Sequence, residues 1–158
     1  MNLNLKRIFF VLIGLLFSFH SIAAQSNDVD DIKEVINAFF DGMHSSDTLK
    51  IKESTVEHVI MQTIGKSKNG TYGLKNADFD SFLKNIAAIN PETTKIKEKI
   101  ISFSIKVDGS MANAWTPYEF YVNSKFSHCG VNSFQLFKDN GKWKIFYIVD
   151  TRRKQNCN

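Results

Sequence analysis

The side chains with chemistry to offer are few, and their spacing matches no local catalytic motif. Beyond residue 24 the histidines are His44, His58 and His128, and the cysteines are Cys129 and Cys157. No two histidines have metal-ligand spacing, and the adjacent pair His128-Cys129 falls short of a zinc site. Gly65-Lys66-Ser67 echoes the end of a phosphate-binding loop, but Ile60 stands where the earlier glycine is required. There is no Gly-x-Ser-x-Gly elbow, no His-Glu-x-x-His and no Cys-x-x-Cys. His44 ends a helical pattern, where it serves either as a cation at the helix C-terminus or as a group facing the interior, and the first is expected. His58 opens a strand-like run and is expected in solvent; His128 is expected to pack within a strand. Asp150, Arg152 and Arg153 end the last strand-like run. An arginine there could grip a carboxylate through two hydrogen bonds with Asp150 orienting it, but a solvated strand end is the simpler expectation.

Hydrophobic periodicity says which elements must position these groups. Val29, Ile32, Val35, Ile36, Phe39, Phe40 and Met43 recur at spacings of three and four, which predicts a helix over 28–44. Asn27 or Asp28 can cap it. Ser45-Ser46-Asp47 breaks the pattern and can start a short second helix to about Ser54. His58–Ile64 reads as a strand, and the Asn69-Gly70 signal predicts a hairpin or tight loop after it. Asp78 can cap a third helix with the stripe Phe79, Phe82, Leu83, Ile86 and Ile89, stopped by Asn90-Pro91. Four strands follow over about Ile96–Val107, Met111–Val122, Phe126–Lys138 and Lys142–Thr151, separated by short turns. Such turns imply an antiparallel meander, so the expected class is α+β: a curved antiparallel sheet packed against three N-terminal helices. Pro117 within the second of these strands predicts an edge or a bulge.

The first two dozen residues read differently. Lys6 and Arg7 precede the apolar run Ile8–Phe19, and small residues follow in Ser21-Ile22-Ala23-Ala24. That order is a secretory signal peptide with cleavage near Ala23 or Ala24, which predicts a periplasmic or secreted protein. The run is too short for a permanent span, which needs roughly 20 residues. The chain then divides into a signal peptide over 1–24 and one domain over 25–158. Of 20 basic and 16 acidic side chains, the signal segment holds two basic and no acidic ones, so the net charge falls from +4 to +2. Basic and acidic residues interleave along Lys50–Glu57 and Lys95–Lys99, which reads as solvated surface. Neither feature argues for nucleic acid or an anionic membrane. In an oxidising compartment Cys129 and Cys157 are candidates for a disulfide, with position 129 opposite about 152 in the last hairpin.

The element order, the segment Phe39…Met43…Asp47 and the ending Asp139-Asn140-Gly141-Lys142-Trp143-Lys144-Ile145 resemble the nuclear transport factor 2-like superfamily. Phe126-Ser127-His128-Cys129-Gly130 and Asp150-Thr151-Arg152-Arg153 are similar to features of its exported bacterial branch, described as SnoaL-like or lumazine-binding. The resemblance covers nearly all of residues 28–153 and implies a cone-like fold with a cavity between sheet and helices. Members include isomerases, dehydratases, ligand binders and dimerising modules, so it does not fix an activity. Counted from Asp47 and Gly141, the resemblance puts the ketosteroid isomerase base and oxyanion donors on Thr63, Phe39 and Ser133. Thr63 is no base near neutral pH and Phe39 has no hydroxyl, so that chemistry is not matched. Shifting the count by one residue, to Gln62 and Asn132, does not restore it. Registering the Gly141 turn against the family directs Thr116, Tyr118, Phe120, Ser133, Gln135, Phe146 and Asp150 inward, with Phe39, Met43 and Thr63 opposite. Such a lining suits a small aromatic or apolar ligand. The expectation is an exported small-molecule-binding protein, non-catalytic and homodimeric, needing no cofactor or metal. The alternatives are a dimerising module with a filled cavity and a weak isomerase- or dehydratase-like enzyme.

Overall fold

The computed structural model describes residues 27–67 and 69–157. The expected signal peptide, with its exit at Ala23 or Ala24, lies outside the described residues. Among the described residues no helix is long and apolar enough to cross a membrane.

The first helix, α1, covers 27–45 and buries Ile32, Ile36, Phe39, Phe40 and Met43. These are the residues its three-and-four spacing selects. Asp28, expected as a cap, lies inside the helix. Its carboxylate accepts from Trp143 Nε1 at 3.0 Å and from Lys138, which pins the helix start to the last hairpin. The helix ends at Ser46, in the left-handed region at φ 59°. Gly42 lets the following turn come close: a Cβ there would lie 2.8 Å from the Asp47 carbonyl oxygen. Helix α2 (Thr48–Glu53) is capped by Asp47, whose side chain accepts from the Leu49 and Lys50 amides, and it buries Ile51. Helix α3 (Phe79–Ala87) is capped by Asp78 and buries Phe79, Leu83 and Ile86.

The strands are β1 (Thr55–Lys66), β2 (Tyr72–Ala77), β3 (Ile96–Ile100), β4 (Ser104–Asp108), β5 (Met111–Val122), β6 (Lys125–Asp139) and β7 (Lys142–Thr151). They form one sheet in the order β2-β1-β7-β6-β5-β3, with β4 also paired to β5. All pairings are antiparallel except β1 with β7. The hairpin signal at Asn69-Gly70 is realised as the β1–β2 loop, with Gly70 at φ 89°.

Two details differ from the sequence expectation. The run Ile96–Val107 is two strands, because 101–103 leave the ladder where they pass Pro117. Proline has no N–H to donate there, although its carbonyl still accepts from the Ile101 amide at 2.8 Å. The interruption thus falls in the neighbouring strand. The second difference is an extra residue, Phe146, between the pairs Leu136↔Ile145 and Gln135↔Tyr147. It reverses which residues of β6 and β7 share a face, and the site depends on it.

Candidate functional site

The inner face of the sheet carries one polar row. Thr63 pairs with Asp150, Asp150 with Asn132, and Asn132 with Thr116, so four strands each give one polar side chain to the same line. Cross-strand neighbours on one face lie roughly 5 Å apart. The next row is Met61, Ile148, Phe134 and Ala114, entirely apolar. Helices α1 and α3 cover both rows with Phe39, Phe40, Met43 and Phe82, and a cavity of about 110 Å³ remains between the layers. Phe39 stacks on Phe82 with ring centres 6.0 Å apart, and Phe40 meets Phe134 edge-on at 5.9 Å. The cavity is therefore aromatic on the helix side and polar along one line of the sheet.

Glu98 enters this cavity from β3. Its strand alternates half-buried Ile96, Glu98 and Ile100 with exposed Lys97 and Lys99, so the glutamate sits on the apolar parity. Glu98 Oε1 accepts from Asn132 Nδ2 at 2.7 Å. Its backbone amide donates to His44 Nε2 at 2.8 Å. Burial raises the Glu98 pKa from 4.5 to about 8; the Asn132 hydrogen bond opposes this and the Asp150 charge adds to it. At neutral pH this carboxyl is mostly protonated. Burial also lowers the His44 pKa, which suits an imidazole that accepts a hydrogen bond at Nε2. His44 thus links α1 to β3 as a neutral acceptor, in place of the expected helix-end cation.

Asp150 is the buried hub of the polar row. Its Oδ2 accepts from Arg152 Nε at 2.6 Å and from the Tyr118 hydroxyl at 3.3 Å. Tyr118 also donates to the Thr151 carbonyl at 3.0 Å. Burial and the nearby acids raise the tyrosine pKa, so it remains a neutral phenol. Asp150 Oδ1, Thr63 Oγ1 and Thr116 Oγ1 are buried without a hydrogen-bond partner in the protein. Leaving such a group unmatched costs about 1–3 kcal/mol, so three in one row is an unusual concentration.

Of the residues predicted to line a pocket, Phe39, Met43, Thr63 and Asp150 face this cavity. Thr116 and Tyr118 lie on the inner face as buried members of the polar row and its hydrogen-bond network. Phe120 packs half-buried on His128, ring centres 4.9 Å apart. Ser133, Gln135 and Phe146 do not face the cavity. The extra residue at Phe146 pairs Ser133 with Val149 and Gln135 with Tyr147, turning both to the outer face. Phe146 itself meets the Phe137 ring there at 6.2 Å. Asn132 and Phe134 take the inner positions instead. Glu98, Asn132, Phe82 and Phe134 were missed. For Glu98 the signal was present, since Ile96-Lys97-Glu98-Lys99-Ile100 alternates strictly. His58 is exposed on β1.

Cys129 and Cys157 form a disulfide with Cα atoms 5.8 Å apart. Cys129 pairs with Arg153, one residue beyond the expected position, again because of the Phe146 bulge. Among the described residues no three His, Cys, Asp or Glu side chains converge as metal ligands. A larger groove of about 370 Å³ runs between α1, α2 and the β6–β7 turn, lined by groups such as Glu34, Lys50 and Trp143. It contains none of the unmatched buried polar atoms, so the smaller cavity is the better candidate site.

No family model matches the sequence, and no curated protein matches it. Solved structures do. A nuclear transport factor 2-like protein with a cystatin-like fold from Novosphingobium aromaticivorans has a TM-score of 0.68 at 13% identity, covering 89% of this chain and 92% of that one. A nuclear transport factor 2-like protein of unknown function from Shewanella baltica has a TM-score of 0.60 at 15% identity, covering 82% and 97%. A proposed dehydratase of the same family from Streptomyces avermitilis has a TM-score of 0.61 at 12% identity, covering 82% and 98%. With the curved sheet, the three helices and the cavity between them, the chain has the nuclear transport factor 2-like, cystatin-like α+β fold.

Proposed function

We propose that this is an exported small-molecule-binding protein whose ligand seats an apolar or aromatic body against Phe39, Phe82 and Phe134. The ligand presents a hydrogen-bonding group to the polar row. The observation that carries this reading is the concentration of unmatched buried atoms, Thr63 Oγ1, Thr116 Oγ1 and Asp150 Oδ1, along that row. A ligand hydroxyl or amine would satisfy Asp150 Oδ1 as a donor, and Thr63, which also lines the cavity, can donate or accept. Export rests on the order of charge, apolar run and small residues over 6–24. The cavity, about 110 Å³, is smaller than the about 150 Å³ that accepts benzene, so it suits a very small compound or one end of a longer one. Binding is favoured over ketosteroid isomerase-type catalysis because Thr63 offers no base and Phe39 no hydroxyl at the cavity positions that chemistry uses.

Ligand-detected NMR with a set of single-ring and short-chain alcohols and amines tests this reading. Some should bind, and Thr63→Phe, which fills the polar end, should abolish their binding. Binding that survives Thr63→Phe, or no binding at millimolar concentration, would end it. Conversion of a bound compound would move the reading to the isomerase- or dehydratase-like alternative.

A second observation favours self-association through the outer sheet face. Ile60, Met111 and Trp115 are 56%, 55% and 50% exposed there, beside Phe137. A homodimer would cover this surface, and sedimentation velocity with Trp115→Glu tests it: the wild type should run as a dimer and the variant as a monomer.

A further inference from the structure

Arg152 belongs to two hollows at once. It lines the cavity described above, and it also lines an open hollow of about 270 Å³ formed with Ser127, His128, Arg153 and Lys154. The second hollow has no acidic side chain in its wall. Arg152 uses only Nε on Asp150, at 2.6 Å, and its side chain is 60% exposed. Among the described residues its terminal nitrogens have no hydrogen-bond acceptor, and neither Arg153 nor Lys154 makes an ion pair.

From this geometry we infer that the ligand carries an oxyanion, carboxylate or phosphate, which Arg152 grips from the hollow while the apolar body enters the cavity. The inference rests on the proposed binding function and adds the charge class of the ligand. A guanidinium held by one carboxylate at Nε still presents a planar pair of donors, which matches two oxygens of a carboxylate or phosphate. Asp150 then works on both sides, as the acceptor within the cavity and as the anchor of Arg152. Lys154 and Arg153 supply a positive surround, while Ser127 offers a hydroxyl and His128 an uncharged imidazole. The strand end carrying these residues is fixed: Cys129 and Arg153 exchange backbone hydrogen bonds of 2.9 Å in each direction, and the disulfide ties Cys157 to the same point.

The test compares benzoate with benzyl alcohol, its neutral analogue, and with acetate, by calorimetric titration of the full chain. The wild type should bind benzoate at least about tenfold more tightly than benzyl alcohol and bind acetate weakly. Arg152→Gln should remove most of that preference. Lys154→Glu, an exposed change away from the polar row, should weaken benzoate severalfold. If benzoate and benzyl alcohol bind equally, the oxyanion inference fails while the cavity reading stands. If benzyl alcohol binds and benzoate does not, the outcome is the same. If no probe binds, both fail.

Discussion

Glu98→Gln is the most informative single change, because it keeps the side-chain shape and an acceptor for Asn132 while removing the ionisable proton. In the folded protein burial raises this pKa from 4.5 to about 8, against the hydrogen bond from Asn132 and with help from the Asp150 charge. Between those two values the folded carboxyl keeps its proton and the unfolded chain releases it. The folded state then binds more protons, so stability falls as pH rises through the window. Each pH unit corresponds to about 1.4 kcal/mol, so going from about pH 5 to about pH 8 should cost the wild type about 3 kcal/mol through this group. Glu98→Gln lacks that loss. His44 and His128, whose pKa values burial lowers, act in the opposite sense by destabilising the fold as pH falls. They are present in both proteins and cancel in the difference. Urea unfolding of both proteins across this pH range, at constant ionic strength, measures it. The variant's stability relative to wild type should rise by about 3 kcal/mol from the acid to the alkaline end. A difference that stays flat would refute the burial of this carboxyl and return Glu98 to the solvated surface.

Other substitutions test the framework that holds the site. A Cβ at Gly130 would lie 1.8 Å from the Thr151 carbonyl oxygen and 2.9 Å from the Tyr118 ring. Gly130→Ala should therefore cost at least about 2 kcal/mol in denaturant unfolding and perturb the Tyr118 resonances. Replacing both Cys129 and Cys157 by serine opens a closure with a sequence separation of 28 and should cost roughly 3–4 kcal/mol in the chain-entropy model, read from the shift in denaturation midpoint. Asp47→Ala removes the side chain that accepts from the Leu49 and Lys50 amides. It should cost about 1 kcal/mol by the same measurement, with ligand binding unchanged.

Much of the fold was legible because local patterns and tertiary packing agree. The stripes of α1 and α3 are the residues those helices bury, Asp47 and Asp78 cap where the sequence places them, and the turns at Asn123-Ser124 and Asn140-Gly141 adopt positive φ. The site was only half legible. A strand of period two tells which residues share a face but not which face is inner, and one inserted residue reverses the answer. Phe146 is that residue, and nothing in Lys144-Ile145-Phe146-Tyr147-Ile148 marks it as a bulge. The shift exchanged Ser133 and Gln135 for Asn132 and Phe134. Glu98 was lost for another reason. Flanking lysines made its segment look solvated, although the alternation with Ile96 and Ile100 placed it on the inner parity. Arg152 was recognisable as a strand-end cation, but its bond to a buried carboxylate is a tertiary fact.

The polar end of the cavity, formed by Thr63, Asp150 and Asn132, is the proposed seat of the ligand. Native mass spectrometry of the protein purified gently from its own cells tests it most directly, with Thr63→Phe purified in parallel. The wild type should carry an added small-molecule mass that is absent from the variant. A bare wild-type mass in repeated preparations, or an adduct retained equally by Thr63→Phe, would contradict it.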